Sequence, residues 1–327
     1  MRCKRTLILI LIMSYCWLGS AHYSFGETYP TKPIEILVGY NPGATFDLVG
    51  RILADALSKS LSQSVVVINK PGASGAIAAS DVVSSPPNGY KLLLAANIFF
   101  GSLTKSQKVP FDPNILMPLA NFIEFKGAML IRGDSPWHSL DDVFAYAKKN
   151  PRKLKWNHAG RGTSLHIGGL IMFKKAGVEA LEVPGYKSSP ELLAALLGGH
   201  VDVIMGSYGP AKDMIQSGKV RCLMTLSDRR YKDTATIPCA SELGFPEFAM
   251  LSTLAGLYLH RDTPKEVVKT LSDACKKISE NPELAKSIEK IGEEPRFGGP
   301  EFMKESIRKC EEASTPILKE LGIYIGK

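Results

Sequence analysis

The chain has 327 residues, enough for two α/β lobes with ample core. Its 40 Lys and Arg outnumber 32 Asp and Glu, for a formal net charge of +8. The basic residues form no block and are not interleaved with aromatics, which argues against a nucleic-acid partner. A mild positive balance suits an anionic small solute, and equally a solvated basic surface.

The first residues read as an export leader. Arg2, Lys4 and Arg5 precede an apolar run from Leu7 to about Leu18, and small residues follow at Gly19, Ala21, Ser24 and Gly26. This is the pattern of a signal peptide over residues 1–26, cleaved after Ala21 or Gly26. The run is short for a membrane span, and Ser14 and Tyr15 before Cys16 do not make a lipobox. A soluble, exported protein is expected. Loss of the leader lowers the net charge to roughly +5.

The leader also removes Cys3 and Cys16, leaving Cys222, Cys239, Cys275 and Cys310. None has C-x-x-C or zinc spacing, so no metal or cofactor is expected. Cys222 and Cys239 could bridge in an oxidising compartment, or all four could pack as buried thiols.

Along the mature chain, strand and helix signals alternate with short turns, which predicts mostly parallel sheets. An apolar run, Ile34 to Val38, leads into Y-N-P-G-A-T-F-D-L-V-G-R at residues 40–51. Leu48, Val49, Ile52, Leu53, Ala56 and Leu57 then recur with helical period. A strand, a Pro-Gly turn and a helix start direct unpaired N–H groups and the positive helix end at one point, which binds carboxylates as readily as phosphates. Nothing nucleophilic sits in this loop.

A strand at 65–69 precedes P-G-A-S-G and a small-residue helix through Ser84; a turn at 86–89 precedes a strand at 90–95. A second block opens near Gly127, with strands at 128–132 and 153–158 around a helix at 139–149. A-G-R-G-T-S-L-H at 159–166 repeats the strand, Gly-rich turn and helix-start logic, with Thr163 or Ser164 as N-cap. A helix at 190–197, strands at 201–205 and 220–226, and helices at 264–279, 282–291 and 300–321 complete the reading.

Seven segments carry a resemblance. They are residues 40–51, P-G-A-S-G at 71–75, P-N-G-Y-K-L-L at 87–93, A-Y-A-K-K-N-P-R-K-L at 145–154, and 159–166, followed by V-P-G-Y-K-S-S-P-E-L-L-A-A-L-L-G-G-H-V-D at 183–202 and I-P-C-A-S-E-L-G-F-P at 237–246. In that order the chain resembles the periplasmic solute receptors of tripartite tricarboxylate transporters, the Bug receptors, from about Tyr29 onward. The resemblance implies a type II periplasmic binding fold, two α/β lobes with a ligand cleft between them. Lobe one would hold residues 27–124 and 253–327, and lobe two 125–252. It implies a monomeric receptor that delivers a small organic acid to a two-component membrane permease. It maps ligand contacts onto Tyr40, Gly43, Ala44, Thr45 and Asp47 in the first loop, and Gly160, Gly162, Thr163, Ser164 and His166 in the second.

Two departures from the family pattern stand in the first loop. Ala44 replaces a glycine, which narrows the accessible backbone conformations. Phe46 takes the place of a small hydroxyl residue, either walling the pocket in favour of aromatic or long-chain acids or pointing into the core. Asp47 either caps the helix start or meets a ligand donor or water, whereas Thr45 can cap and also donate to a carboxylate. Arg161 either pairs with a second carboxylate or faces solvent. His166 braces its loop or touches ligand. Asn97 and Ser207, at strand ends, are candidates for the cleft wall, and Tyr186 and Lys187 either face the cleft or support their loop.

Catalysis is not expected. G-x-S-x-G, P-loop and H-E-x-x-H patterns are absent, and Ser164 and His166 are two apart on a helix start, where they do not face each other. A sensor subunit reporting to a membrane kinase or chemoreceptor would use the same clamp, and the sequence leaves that alternative open.

Overall fold

A computed structural model describes residues 29–158, 160–185 and 188–326. The leader, Tyr186 and Lys187 lie outside the described residues. In chain order the elements are β1 (Ile34–Val38), α1 (Thr45–Leu61), β2 (Val65–Asn69), α2 (Ala76–Ser84), β3 (Lys91–Ala96), β4 (Leu116–Glu124) and β5 (Gly127–Arg132). There follow α3 (Leu140–Lys149), β6 (Lys155–His158), α4 (Ser164–Lys175), β7 (Leu181–Glu182), α5 (Ser189–Leu197), β8 (Val203–Ser207), α6 (Tyr208–Gln216) and β9 (Val220–Thr225). The last are β10 (Leu254–His260), α7 (Lys265–Ser279), α8 (Pro282–Lys290), β11 (Glu294–Gly298) and α9 (Pro300–Glu320). A π-helical turn, Phe99–Leu103, follows β3.

Two sheets make two lobes. One has the order β11-β4-β10-β3-β1-β2 and the other β7-β6-β8-β5-β9. The expectation of mostly parallel sheets is corrected here. Pairing is parallel around β1 and around β6, but β10 runs antiparallel to both β3 and β4, and β5 runs antiparallel to both β8 and β9. The physical reason is the chain path: it leaves the first sheet through β4 and returns through β10, so the returning strand enters against its neighbours.

Each lobe has its own core. Leu37, Leu93, Phe100, Tyr258 and Met303 are buried together in the first, and Met129, Trp156, Phe173, Met205 and Phe245 in the second. In α1 the buried stripe is Val49, Leu53, Ala54 and Leu57; Leu48, expected on that face, is 39% exposed, so the helix is rotated from the simple reading. Gly256 in β10 is needed for strand approach, since a Cβ there would lie 2.1 Å from the Ala120 carbonyl oxygen.

The two crossings run side by side. Phe125 N–H donates to the Thr253 carbonyl (2.8 Å), and Tyr208 N–H to that of Lys126 (2.7 Å). Glu124, fully buried, accepts from Arg229 of the second lobe (3.0 Å) and Arg296 of the first (2.6 Å), and from the Tyr231 and Ser252 hydroxyls. Helix α9 spans the junction, with Leu318 packed on Ile167 of α4.

All four described cysteines are free. The open question of a bridge therefore resolves here to thiols, and burial pushes those of Cys222, Cys275 and Cys310 up to about 12.

Candidate functional site

The first loop leaves the C-terminal end of β1, the edge at which open α/β sheets bind ligands. Gly43 supplies the left-handed turn, with φ +81°, and Ala44 follows at φ −69°, ψ 159°. Ala44 is therefore unstrained, and the restriction expected of it does not apply. It occupies the N-cap position of α1 and gives the helix no side-chain cap. Thr45, expected to cap, is instead the first helical residue. The N–H groups of Thr45, Phe46 and Asp47 have no acceptor among the described residues.

Asp47 is 2% exposed and its carboxylate is fully engaged. Oδ2 accepts from Gly43 N–H (2.9 Å) and Arg51 Nε (3.0 Å), and Oδ1 from Arg51 Nη2 (3.0 Å) and Asn69 Nδ2 (2.9 Å). Asn69 also donates to the Tyr40 carbonyl (3.0 Å). Burial alone would raise the Asp47 pKa, but the Arg51, Gly43 and Asn69 donors outweigh it and the net shift is downward. Asp47 thus ties the loop together through Gly43, Arg51 and Asn69.

The second loop is shaped like the first, but its helix start carries a side-chain cap. Gly160 and Gly162 both have positive φ, 130° and 76°. Thr163 caps α4, accepting from His166 N–H (3.3 Å) while its hydroxyl donates to the Gly160 carbonyl (2.7 Å). His166 Nδ1 accepts from Gly162 N–H (3.0 Å), which braces the loop. Ser164 Oγ lies 2.5 Å from Thr253 Oγ1, and Arg161 is exposed without an ion pair among the described residues.

The lobes meet at this loop. Ser102 Oγ of the π-turn donates to the Gly162 carbonyl (2.9 Å), and a Cβ on Gly162 would come within 3.1 Å of Ser106 Oγ. Beneath the first loop, Tyr40, Ser74, Gly75, Ala96, Phe99 and Leu103 line a small chamber that has no charged side chain. Tyr40 stacks on Phe46 (centroids 4.5 Å, 15°), and Phe46 tilts against Phe125 of the crossing (4.8 Å). Burial raises the Tyr40 hydroxyl pKa. Phe46 also packs on Ala96, Ile98 and Cys310, so it faces a core cluster on one side and Tyr40 on the other.

Asn97, expected at the cleft wall, is a correction. It is 1% exposed and spends its amide on structure. Oδ1 accepts from Ile98 N–H (2.9 Å) and Leu254 N–H (3.0 Å), and Nδ2 donates to the Ser252 carbonyl (2.9 Å) and Ser306 Oγ (2.6 Å). Asn97→Ala should cost about 3 kcal/mol in urea denaturation, because two buried N–H groups lose their acceptor. Ser207 is half-buried at the last residue of β8, beside the crossing. The sequence reading missed His158, Glu182 and Ser102. His158 was visible as the strand end before the Gly-rich loop, whereas Glu182 sits on a two-residue strand with no periodic signal.

Sequence comparison matches residues 49–323 to the tripartite tricarboxylate transporter family receptor. The chain belongs to that family. The UPF0065 protein in the gbd 5′ region of Cupriavidus necator is 32% identical over 298 residues, covering 91% of this chain and 90% of the relative. A solved TctC solute-binding protein from Polaromonas superposes with TM-score 0.74 at 29% identity, over 89% of this chain and 100% of that one. An R. palustris protein solved with adipate gives TM-score 0.80 at 25% identity, over 90% and 99%. The TctC match opens at Val49, just past the first loop, and contains the whole second loop. The chain is thus a solute-binding receptor with the two-lobe fold, and the departures at Ala44 and Phe46 lie immediately outside the matched region.

Proposed function

We propose that this receptor captures a small organic acid in the periplasm and hands it to a two-component membrane permease, and that it acts without catalysis. The observation that carries this reading is the uncapped start of α1, which leaves the N–H groups of Thr45, Phe46 and Asp47 without an acceptor among the described residues just after the C-terminal end of β1. An N-cap side chain contributes about 1 kcal/mol to a helix, and α1 forgoes it where α4 does not. A ligand carboxylate would complete that cap and meet the positive end of the helix. Residues 27–124 with 253–327 and residues 125–252 would be the two closing bodies, after cleavage of the leader at 1–26. Ser164 bonds Thr253 and not a base, which supports binding without turnover.

Arg161 is the cation available to a second carboxylate from the second loop. Arg161→Ala should weaken dicarboxylates about tenfold and monocarboxylates less than threefold by calorimetry. Equal losses for both classes would make Arg161 a general electrostatic contributor only. The receptor reading itself is tested by thermal shift of protein stripped of solute, against mono-, di-, tri- and aromatic carboxylates. A ligand at a hundred times its Kd adds about 2.7 kcal/mol of stability. Silence across the panel would sink the acid reading.

A further inference from the structure

Both glycines of the second loop give their N–H to a histidine ring. Gly162 donates to His166 Nδ1 (3.0 Å) and Gly160 to His158 Nδ1 (3.1 Å). A backbone hydrogen cannot change sides, so each Nδ1 is a bare acceptor and each neutral ring carries its hydrogen on Nε2. Both Nε2 atoms face one carboxylate: His158 Nε2 is 3.1 Å from Glu182 Oε1, and His166 Nε2 is 3.7 Å from Oε2. The rings are 4.3 Å apart, His158 is 5% and His166 0% exposed, and His166 Nε2 has no closer partner.

The three side chains place ligand atoms within 4.8 Å of one another, a spacing a divalent ion could bridge. The hydrogen-bond polarity argues otherwise. A metal on Nε2 leaves hydrogen on Nδ1, and that hydrogen would point at the glycine N–H donors. The cluster is built to handle protons.

We propose that Glu182 is a positioning residue for the ligand loop: it pairs with His158 Nε2 and lies against His166 Nε2, the Nδ1 atoms of the two rings fix Gly160 and Gly162, and protonation of the pair releases the loop. The consequence for ligand rests on the receptor reading above, but the device itself does not. A proton added to either ring lands on Nδ1 and sets a donor against a donor, so that stretch of loop must turn away. The charged and titratable groups facing the pair among the described residues are Glu182 from β7 and Arg161 from the loop, with each ring facing the other from β6 and α4. Burial lowers both histidine pKa values, that of His166 to about 4, where His158 and Arg161 add to the lowering and Glu182 opposes it. Since the folded values are depressed, the neutral pair's contribution is complete above the ordinary value near 6.5 and is lost as pH falls towards 4.

The test uses ligand-free protein and ¹⁵N NMR of the histidine side chains from pH 8 to 4, with hydrogen exchange at Gly160 and Gly162 corrected for intrinsic rates. Both rings should be Nε2–H at pH 8, and protonation should coincide with at least a tenfold loss of protection at both glycines. Glu182→Gln should move the midpoint to lower pH, because the carboxylate favours imidazolium; a purely structural Glu182 would leave the midpoint in place. The double variant H158N/H166N keeps an acceptor near each Nδ1 position and cannot titrate, so its loop should be protected independently of pH. Should that variant not fold, the wild-type titration still decides. An Nδ1–H ring at pH 8, equal protection at pH 8 and 4.5, or Zn²⁺ binding through both Nε2 atoms with the loop held would overturn the proposal. A pH-released loop with no acid bound in the panel would sink the ligand reading alone, and acid binding over a pH-insensitive loop would sink this one alone.

Discussion

Asp47→Ala should lower affinity for the acid identified by the thermal-shift panel about a hundredfold, and stability by about 2–3 kcal/mol. Two effects oppose each other at this position. Removing a carboxylate from the first turn of α1 makes the helix end more positive, which would favour an anion by about 0.3–1 kcal/mol. Against that, Gly43 N–H, Asn69 and the Arg51 guanidinium lose their shared acceptor, and the loop that presents the free N–H groups loses its anchor. Hydrogen bonds to charged groups are worth about 1.5–3 kcal/mol each, and orphaning buried donors adds to the cost. Loop disorder therefore outweighs the electrostatic gain. Calorimetry and urea denaturation on the same preparation separate the two quantities. Tighter binding in the variant would mean that Asp47 merely repels the ligand and that the carboxylate seat lies elsewhere.

Acid should act on the same network in a defined direction. The Asp47 pKa is lowered in the fold, so its stabilising contribution is present above the ordinary carboxylate value near 3.8 and is lost as pH falls through the depressed one. The loss of the histidine latch belongs at higher pH. First and second loops would therefore fail in separate steps on acidification.

What could be read from the sequence divides along physical lines. Both glycine-bearing loops were legible because each combines an apolar strand, a glycine that must take positive φ and a helix start, all local signals. The crossing strands were not. β4 carries Pro118 at its third position and buries Asn121 and Glu124, so it lacks alternation and reads as a loop. Its proline is accommodated opposite Tyr258, beside a register shift that no local pattern announces. The site shows the same division. Thr163 as a cap follows from its place before a helix, but the use of Asn97 depends on Leu254, Ser252 and Ser306, all more than 150 positions away. Glu182 meets its histidines only because β7 lies beside β6.

Lys126→Met should be the most destabilising single change at the lobe junction, by about 3–5 kcal/mol at pH 8. The Lys126 side chain is 2% exposed, and its ammonium bridges Asp233 of the second lobe (2.7 Å) and Glu294 of the first (3.2 Å). Its backbone N–H donates to Glu293 Oε2 (3.0 Å), and Glu293 is fully buried with Oε1 unpaired. One cation thus serves three carboxyl groups. Burial pushes the Glu293 pKa to about 7, partly offset by Lys126 and reinforced by Asp233. A raised carboxyl pKa means stability that is complete below the ordinary value near 4.5 and declines as pH rises through 7. Without Lys126 these carboxyls lose their cation, so the defect in Lys126→Met should be larger at pH 8, where Glu293 adds a further buried charge, than at pH 5. Glu293→Gln keeps an acceptor for the Lys126 N–H and removes the charge. It should therefore stabilise the protein at pH 8, by on the order of 2 kcal/mol after relaxation of the site, and leave pH 5 unchanged. Urea denaturation of the two variants and the parent at both pH values decides the matter. A Lys126→Met defect that is the same at pH 5 and pH 8 would show that Lys126 acts through packing of its stem and not through the charge it supplies to both lobes.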